Sequence, residues 1–249
     1  MCLIVVGWRS HPDFPLVVAA NRDEFHARPS APASRWPDAP TVIGGRDLEA
    51  GGTWLGIADD GRFAAVTNVR EPGMPPGERS RGALTRDFLL GDAAAMSYAQ
   101  RLDGDRYAGF NLLLGDADSL VYASNRDGAP RLLPPGIYGL SNHRLDTPWP
   151  KLVQARTAFA SALPALPDEA PLFELLADRR IVPDPALPAT GVTIEWERLL
   201  SAVFVRSENY GTRASTVAWR TRDGRVRLHE RSFGPSGEVV QSSLISTSE

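Results

Sequence analysis

The N-terminal part of the chain alternates short apolar runs with polar breaks. Cys2 to Trp8 is continuous, apolar and rich in β-branched residues, and Arg9-Ser10-His11-Pro12-Asp13 interrupts it before Leu16 to Ala20 repeats the pattern. This predicts two buried strands joined as a hairpin. Residues 27–40 carry four prolines and Trp36 and predict a loop, so the next strand waits for Thr41-Val42-Ile43. Thr53–Ala58 and Arg62–Asn68 flank Asp59-Asp60-Gly61, a second hairpin signal.

Ser80 is placed to cap a helix that carries Leu84, Phe88 and Leu89, and a second helix is predicted over Asp92–Arg101. Phe110–Leu114 and Leu120–Ser124 read as a third hairpin, and Gly139–Asn142 as a strand end. Helical spacing returns at Leu152, Val153, Ala155, Phe159 and Ala160, and again at Leu172, Phe173, Leu175 and Leu176. Three closing strands are predicted at 202–205, 215–219 and 226–229. The order, hairpins and helix pairs rather than strand–helix–strand crossovers, predicts an α+β fold of mostly antiparallel sheets with helices outside them. One domain is expected over residues 1–233. The serine-rich stretch 234–249 lacks a large apolar face and is expected to be a flexible tail.

Composition narrows the function classes. At 249 residues, with 43% hydrophobic and 23% charged residues and a net charge of −3, the chain has an ordinary globular balance, so no nucleic-acid partner is expected. Lys151 is the only lysine among 27 basic residues, which reads as a compositional background. A single cysteine forms no intramolecular disulfide, and residues near the start lack a signal-peptide pattern, so a reducing, cytoplasmic setting is expected. No apolar stretch approaches the ~20 residues of a membrane span. Nothing in the pattern sets the oligomeric state.

The glycines at 44–52 lack a P-loop lysine, and His11, His26, His143 and His229 are scattered without ligand spacing, so neither a cofactor nor a metal is expected. Cys2 is different because of its position. Removal of Met1 would give one residue both a thiol and a free α-amine, whose pKa of about 7.7–8 makes it a base at neutral pH. Its other reading is a small apolar residue buried at the start of a strand.

Met1-Cys2, Ala19-Ala-Asn-Arg-Asp-Glu-Phe25 with Arg28-Pro29, Gly51-Gly-Thr-Trp-Leu-Gly-Ile57, Ala64-Ala-Val-Thr-Asn68, Gly109-Phe-Asn111, Tyr138-Gly-Leu-Ser-Asn142 with Thr147-Pro-Trp149, and Tyr210-Gly-Thr-Arg213 together resemble the NRDE family, which includes the transport and Golgi organisation protein 2 group. The resemblance covers residues 1 to about 233. It implies kinship with the cysteine branch of N-terminal nucleophile hydrolases, which contains choloylglycine hydrolases and penicillin V acylase. It therefore implies a four-layer αββα sandwich and cleavage of a linear C–N amide of a small-molecule substrate.

Carried over residue by residue, the resemblance makes Cys2 the nucleophile and puts Asp23 beside its amine. Asn68 becomes an oxyanion-hole donor, and Asn142 and Arg213 hold and polarise the site. Asn21, Arg22 and Glu24 support it, although Arg22 follows the asparagine here where that branch has its arginine before it. Phe25, Trp54, Trp149 and Tyr210 are candidates for an acyl pocket. Structural roles remain open for the same residues: Asn68 and Asn142 as turn residues, Asp23 as a cap or partner of Arg22 or Arg28, Arg213 as a surface ion-pair partner, and the aromatics as core. The alternative function is a binding or trafficking protein on the same fold, with haem or another small ligand.

Overall fold

The computed structural model describes residues 2–247. In chain order the strands are β1 (Cys2–Trp8), β2 (Leu16–Phe25), β3 (Ser30–Trp36), β4 (Ala39–Asp47), β5 (Leu55–Ala58) and β6 (Phe63–Asn68). Helices α1 (Gly82–Leu90) and α2 (Ala95–Gln100) follow, then β7 (Phe110–Gly115), β8 (Leu120–Ser124), β9 (Arg131–Leu132) and β10 (Gly136–Leu140). The chain continues through α3 (Pro150–Ala162), α4 (Ala170–Leu176) and α5 (Ile194–Leu200) to β11 (Tyr210–Arg220), β12 (Val226–Phe233) and β13 (Val239–Ser246). One sheet has the order β10-β1-β2-β11-β12-β13 and the other runs β3 to β9 in sequence, with antiparallel pairing throughout.

Three apolar layers explain why the strand sequences are runs rather than alternations. Successive residues of a strand point to opposite faces. In β1, Ile4, Val6 and Trp8 enter the core between the sheets with Ile57, Phe63, Leu113 and Tyr122. Leu3 and Val5 turn the other way, onto Leu152 and Phe159 of α3 and Leu172 and Leu176 of α4. Both faces of the strand are covered, so every position of β1 is buried. The second sheet is covered likewise by Leu84 and Phe88 of α1 and Ala95 and Ala99 of α2, packed on Val42, Ala64, Val66 and Leu112. The result is the expected α+β sandwich of four layers, helices–sheet–sheet–helices.

Four local expectations are corrected. The loop expected over residues 27–40 is largely β3 and β4; β3 is an edge strand, and its register breaks between Ala31 and Ser34 around Pro32, which is where a sheet tolerates proline. Residues 202–205 are buried but form no strand. There the Val205 N–H is taken by Thr212 Oγ1 at 2.9 Å and the Val203 carbonyl by Asn21 Nδ2 at 3.0 Å, while the Val205 carbonyl and the Phe204 N–H meet single backbone groups of Thr212 and Asp178, so no continuous ladder forms. Helix α5 was not expected. The serine-rich end is β13, paired with β12 along residues 239–246, because backbone ladder bonds need no apolar face; Ser248 and Glu249 lie outside the described residues. At the β5–β6 hairpin, Gly61 has φ +83°, the left-handed conformation that favours glycine.

Candidate active site

The sheet register assembles the site. Cys2 pairs with Arg22 across β1–β2, and Arg22 pairs with Ala214 across β2–β11, next to a bulge at Arg213. The Cys2 side chain lies at the end of the inter-sheet core, 8% exposed, at the edge of a cleft of about 570 Å³. Arg22, Asp23, Asn68, Trp54 and Arg213 line the same cleft. It is of the size that small-molecule sites occupy.

Around the thiol the two sheets are clipped together. Ser141 Oγ donates to the Cys2 carbonyl at 3.1 Å, and Thr67 Oγ1 donates to the Ser141 carbonyl at 2.7 Å, joining β1, the end of β10 and β6. Asn142, fully buried, donates its Nδ2 to Asn68 Oδ1 at 2.8 Å and to the Asn68 carbonyl at 3.2 Å. That contact fixes which end of the Asn68 amide is the donor. Among the described residues, Asn68 Nδ2 makes only a long 3.4 Å bond to the Val69 carbonyl, which leaves it a weakly engaged donor on the cleft wall.

Asp23 is 1% exposed and receives Thr212 Oγ1 on Oδ1 at 2.7 Å, while Tyr210 Oη donates to its carbonyl at 3.0 Å. Burial pushes its carboxyl pKa up, with Lys151 and Thr212 pulling the other way. Burial likewise pushes the Cys2 thiol up, reinforced by the Asp23 charge and opposed by Arg22 and the Asp23 backbone N–H. The thiol is thus held protonated at neutral pH, and its use as a nucleophile requires a base.

The other residues singled out in the sequence fall into two groups. Glu24 lines the cleft, accepts from the Phe25 N–H at 2.8 Å and stands 3.8 Å from Arg22. Arg213 also lines it, but its Nη1 donates to the carbonyls of Phe25, His26 and Arg28 at 3.1, 3.1 and 3.3 Å, clamping the turn after β2. Asn21 is turned away, bonded to the Leu176 and Val203 carbonyls and to Ser215 Oγ. Of the four aromatics only Trp54 is on the cleft wall. Phe25 is 52% exposed and stacks edge-on with Tyr210, which is buried against Trp196, while Trp149 lies over Arg70. Phe25 and Tyr210 lie where β2 and β11 end beside α5, and Trp149 immediately precedes α3.

Three residues carry weight that the sequence reading gave them no part in. Arg81, just before α1, faces the cleft, where burial pulls its guanidinium pKa down. Glu230 on β12, 3% exposed on the cleft wall, accepts from the Ala33 N–H at 2.7 Å and Thr216 Oγ1 at 3.1 Å, tying one sheet to the other. Lys151 donates to the Leu200 carbonyl at 2.8 Å, near the charges of Asp23, Arg70 and Cys2. Its rarity was a visible signal; the other two have none short of the fold. No histidine lines the cleft among the described residues, and no group of three His, Cys, Asp or Glu side chains there is placed to hold a metal.

Burial pulls the Lys151 ammonium down to about 8 from an ordinary 10.5. Between those values the unfolded chain binds the extra proton, so this group's contribution to stability rises with pH across the window and its penalty is full below it. Lys151→Met is expected to remove that rise, read as a flatter dependence of the urea midpoint between pH 8 and pH 10. An unchanged slope would show that the ammonium is not desolvated.

The family model described as Transport and Golgi organisation 2 matches residues 1–235. The bovine transport and Golgi organization protein 2 homolog is 40% identical over 94% of this chain and 93% of its own length. The human homolog is 38% identical with the same coverage. Among solved structures, the Caenorhabditis elegans N-acylethanolamine-hydrolyzing acid amidase ortholog superposes with a TM-score of 0.53 at 14% identity, covering 87% of this chain and 92% of that one. The conjugated bile acid hydrolase of Clostridium perfringens, as its C2A mutant, gives 0.51 at 8% identity over 98% and 92%. The likeness to both is one of fold. With a family match over nearly its whole length and close relatives of near-equal extent, the chain belongs to the Transport and Golgi organisation 2 family.

Proposed function

We propose that the protein is an N-terminal nucleophile hydrolase that cleaves a linear C–N amide through a thioester on Cys2. The observation that carries this is the placement of the chain's one thiol on the wall of a small-molecule cleft, with Asp23 and the amide-fixed Asn68 lining the same cleft. Once Met1 is removed, the α-amine of Cys2 takes the thiol proton. The sulfur bonds to the amide carbon, and the oxyanion of the tetrahedral adduct receives Asn68 Nδ2. The C–N bond breaks, the proton leaves with the amine, and water releases the acid from the thioester and restores the thiol. The two structural neighbours, by name an amidase and a bile acid hydrolase, support the reading at the level of fold.

Intact-mass measurement paired with hydrolysis of a panel of N-acyl amides tests it. Activity is expected in protein that has lost Met1, and a glycine inserted ahead of Cys2, which converts its amine to a peptide nitrogen, is expected to abolish turnover. Equal turnover by protein retaining Met1, or no turnover across the panel by processed protein, sinks the proposal.

A further inference from the structure

Six arginines line the cleft: Arg22, Arg28, Arg46, Arg79, Arg81 and Arg213. Four have carboxylate partners: Arg28 with Asp47 at 2.8 Å, Arg46 with Asp38 at 2.8 Å, Arg79 with Asp87 at 3.0 Å, and Arg22 with Glu24 at 3.8 Å. Among the described residues, Arg81 and Arg213 have none within ion-pair distance. Arg81 Nη1 donates to the Gly109 carbonyl at 3.2 Å, and Arg213 uses the three carbonyls of residues 25, 26 and 28. Both side chains are partly withdrawn from water, and the acidic group that both feel, Glu24, is at ion-pair distance only from Arg22. Carbonyl oxygens accept hydrogen bonds but do not neutralise a charge, and a desolvated guanidinium without a counter-charge is costly.

The two arginines stand on different walls. Arg213 projects from β11 in the first sheet. Arg81 is fixed beside the second sheet by the start of α1, where the chain packs so closely on Gly52 that a Cβ there would lie 2.4 Å from the Gly82 carbonyl carbon. A planar guanidinium presents paired N–H groups that match the oxygens of a carboxylate, sulfonate or phosphate. We infer that the cleft takes a ligand bearing such an oxyanion group, held by Arg81 with Arg213 across from it. On the hydrolase reading, on which this extension rests, the substrate is an amide with an anionic group on one of its halves. A hydrogen bond to a charged partner is worth about ten- to a hundredfold in affinity.

Calorimetric binding to the Cys2→Ala protein, which keeps an amide intact, tests the inference with three matched probes: N-octanoylglycine, its primary carboxamide, and N-octanoyl-aminomethylphosphonate. The two anions are expected to bind about ten- to a hundredfold more tightly than the carboxamide, with the advantage shrinking as salt is raised. The tighter of the two identifies the oxyanion class. Arg81→Gln is expected to cut the advantage to less than about threefold, and Arg81→Lys, which keeps the charge but loses the paired N–H groups, to retain only part of it. Equal affinities of all three probes, no binding of either anion, or an advantage that survives both Arg81→Gln and Arg213→Gln overturns the inference. Turnover is read separately in the wild type. Hydrolysis without charge preference removes the anion site and spares the hydrolase, and charge-dependent binding without hydrolysis does the reverse.

Discussion

Cys2→Ala is expected to eliminate amide turnover, lowering kcat/KM by at least about 10⁴-fold, roughly 5.5 kcal/mol of transition-state stabilisation. The size follows from what is removed: the atom that, in the proposed mechanism, forms the covalent intermediate. No other thiol exists in the 249 residues to replace it. The fold is expected to survive, because the contact that ties Cys2 into the sandwich runs from Ser141 Oγ to its backbone carbonyl and is indifferent to the side chain. The single cysteine also gives a stoichiometric check. One equivalent of a thiol-reactive amide mimic is expected to abolish activity, slowly at neutral pH and faster as pH rises, because burial holds the thiol above its ordinary pKa. If the alanine variant keeps more than about a tenth of wild-type turnover, sulfur is not the nucleophile.

What could be read from the chain followed from where each signal resides. The β1–β2 and β5–β6 hairpins were legible because continuous β-branched runs flank short polar turns, and burial on both faces produces such runs. Strand β3 was hidden by Pro32 and the prolines on either side of it, and β13 by its serines, since edge strands live on backbone bonds and show little apolar pattern. The candidate site divides in the same way. Cys2 and Asp23 lie in one hairpin and were within reach of local reasoning. Asn68 and Asn142, 74 positions apart, were brought forward only by their motif blocks. Arg81 and Glu230 carry no local mark, because their environment exists only when the sheets close on one another. Phe25, Trp149 and Tyr210 also sit in conspicuous blocks, and their rings meet one another, Trp196 and Arg70 rather than the wall of this cleft.

Arg70→Met is expected to be the most destabilising of these substitutions, at about 3–5 kcal/mol. Arg70 Nη1 meets Glu197 Oε2 at 3.1 Å with each side chain 5% exposed, and the other Glu197 oxygen takes the Thr190 N–H at 2.7 Å. Removing the cation leaves a carboxylate in that place without its counter-charge, and the penalty comes from the stranded partner more than from the lost attraction. For a chain of this size the loss corresponds to a melting temperature lower by roughly 10 °C. The double variant Arg70→Met/Glu197→Leu is expected to recover part of it, since neither charge then remains; a double variant as unstable as the sum of the singles would refute coupling through the pair. The pair also reaches the candidate site. Arg70 follows Asn68 by two residues, and its N–H donates to the Asn142 carbonyl at 2.7 Å, so the Arg70–Glu197 bond ties α5 to the strand end that carries Asn68, the proposed oxyanion donor. In the double variant, where stability is partly restored, turnover is therefore expected to stay below wild type with KM little changed. A recovery of kcat in step with stability would instead make the pair a support of the fold alone.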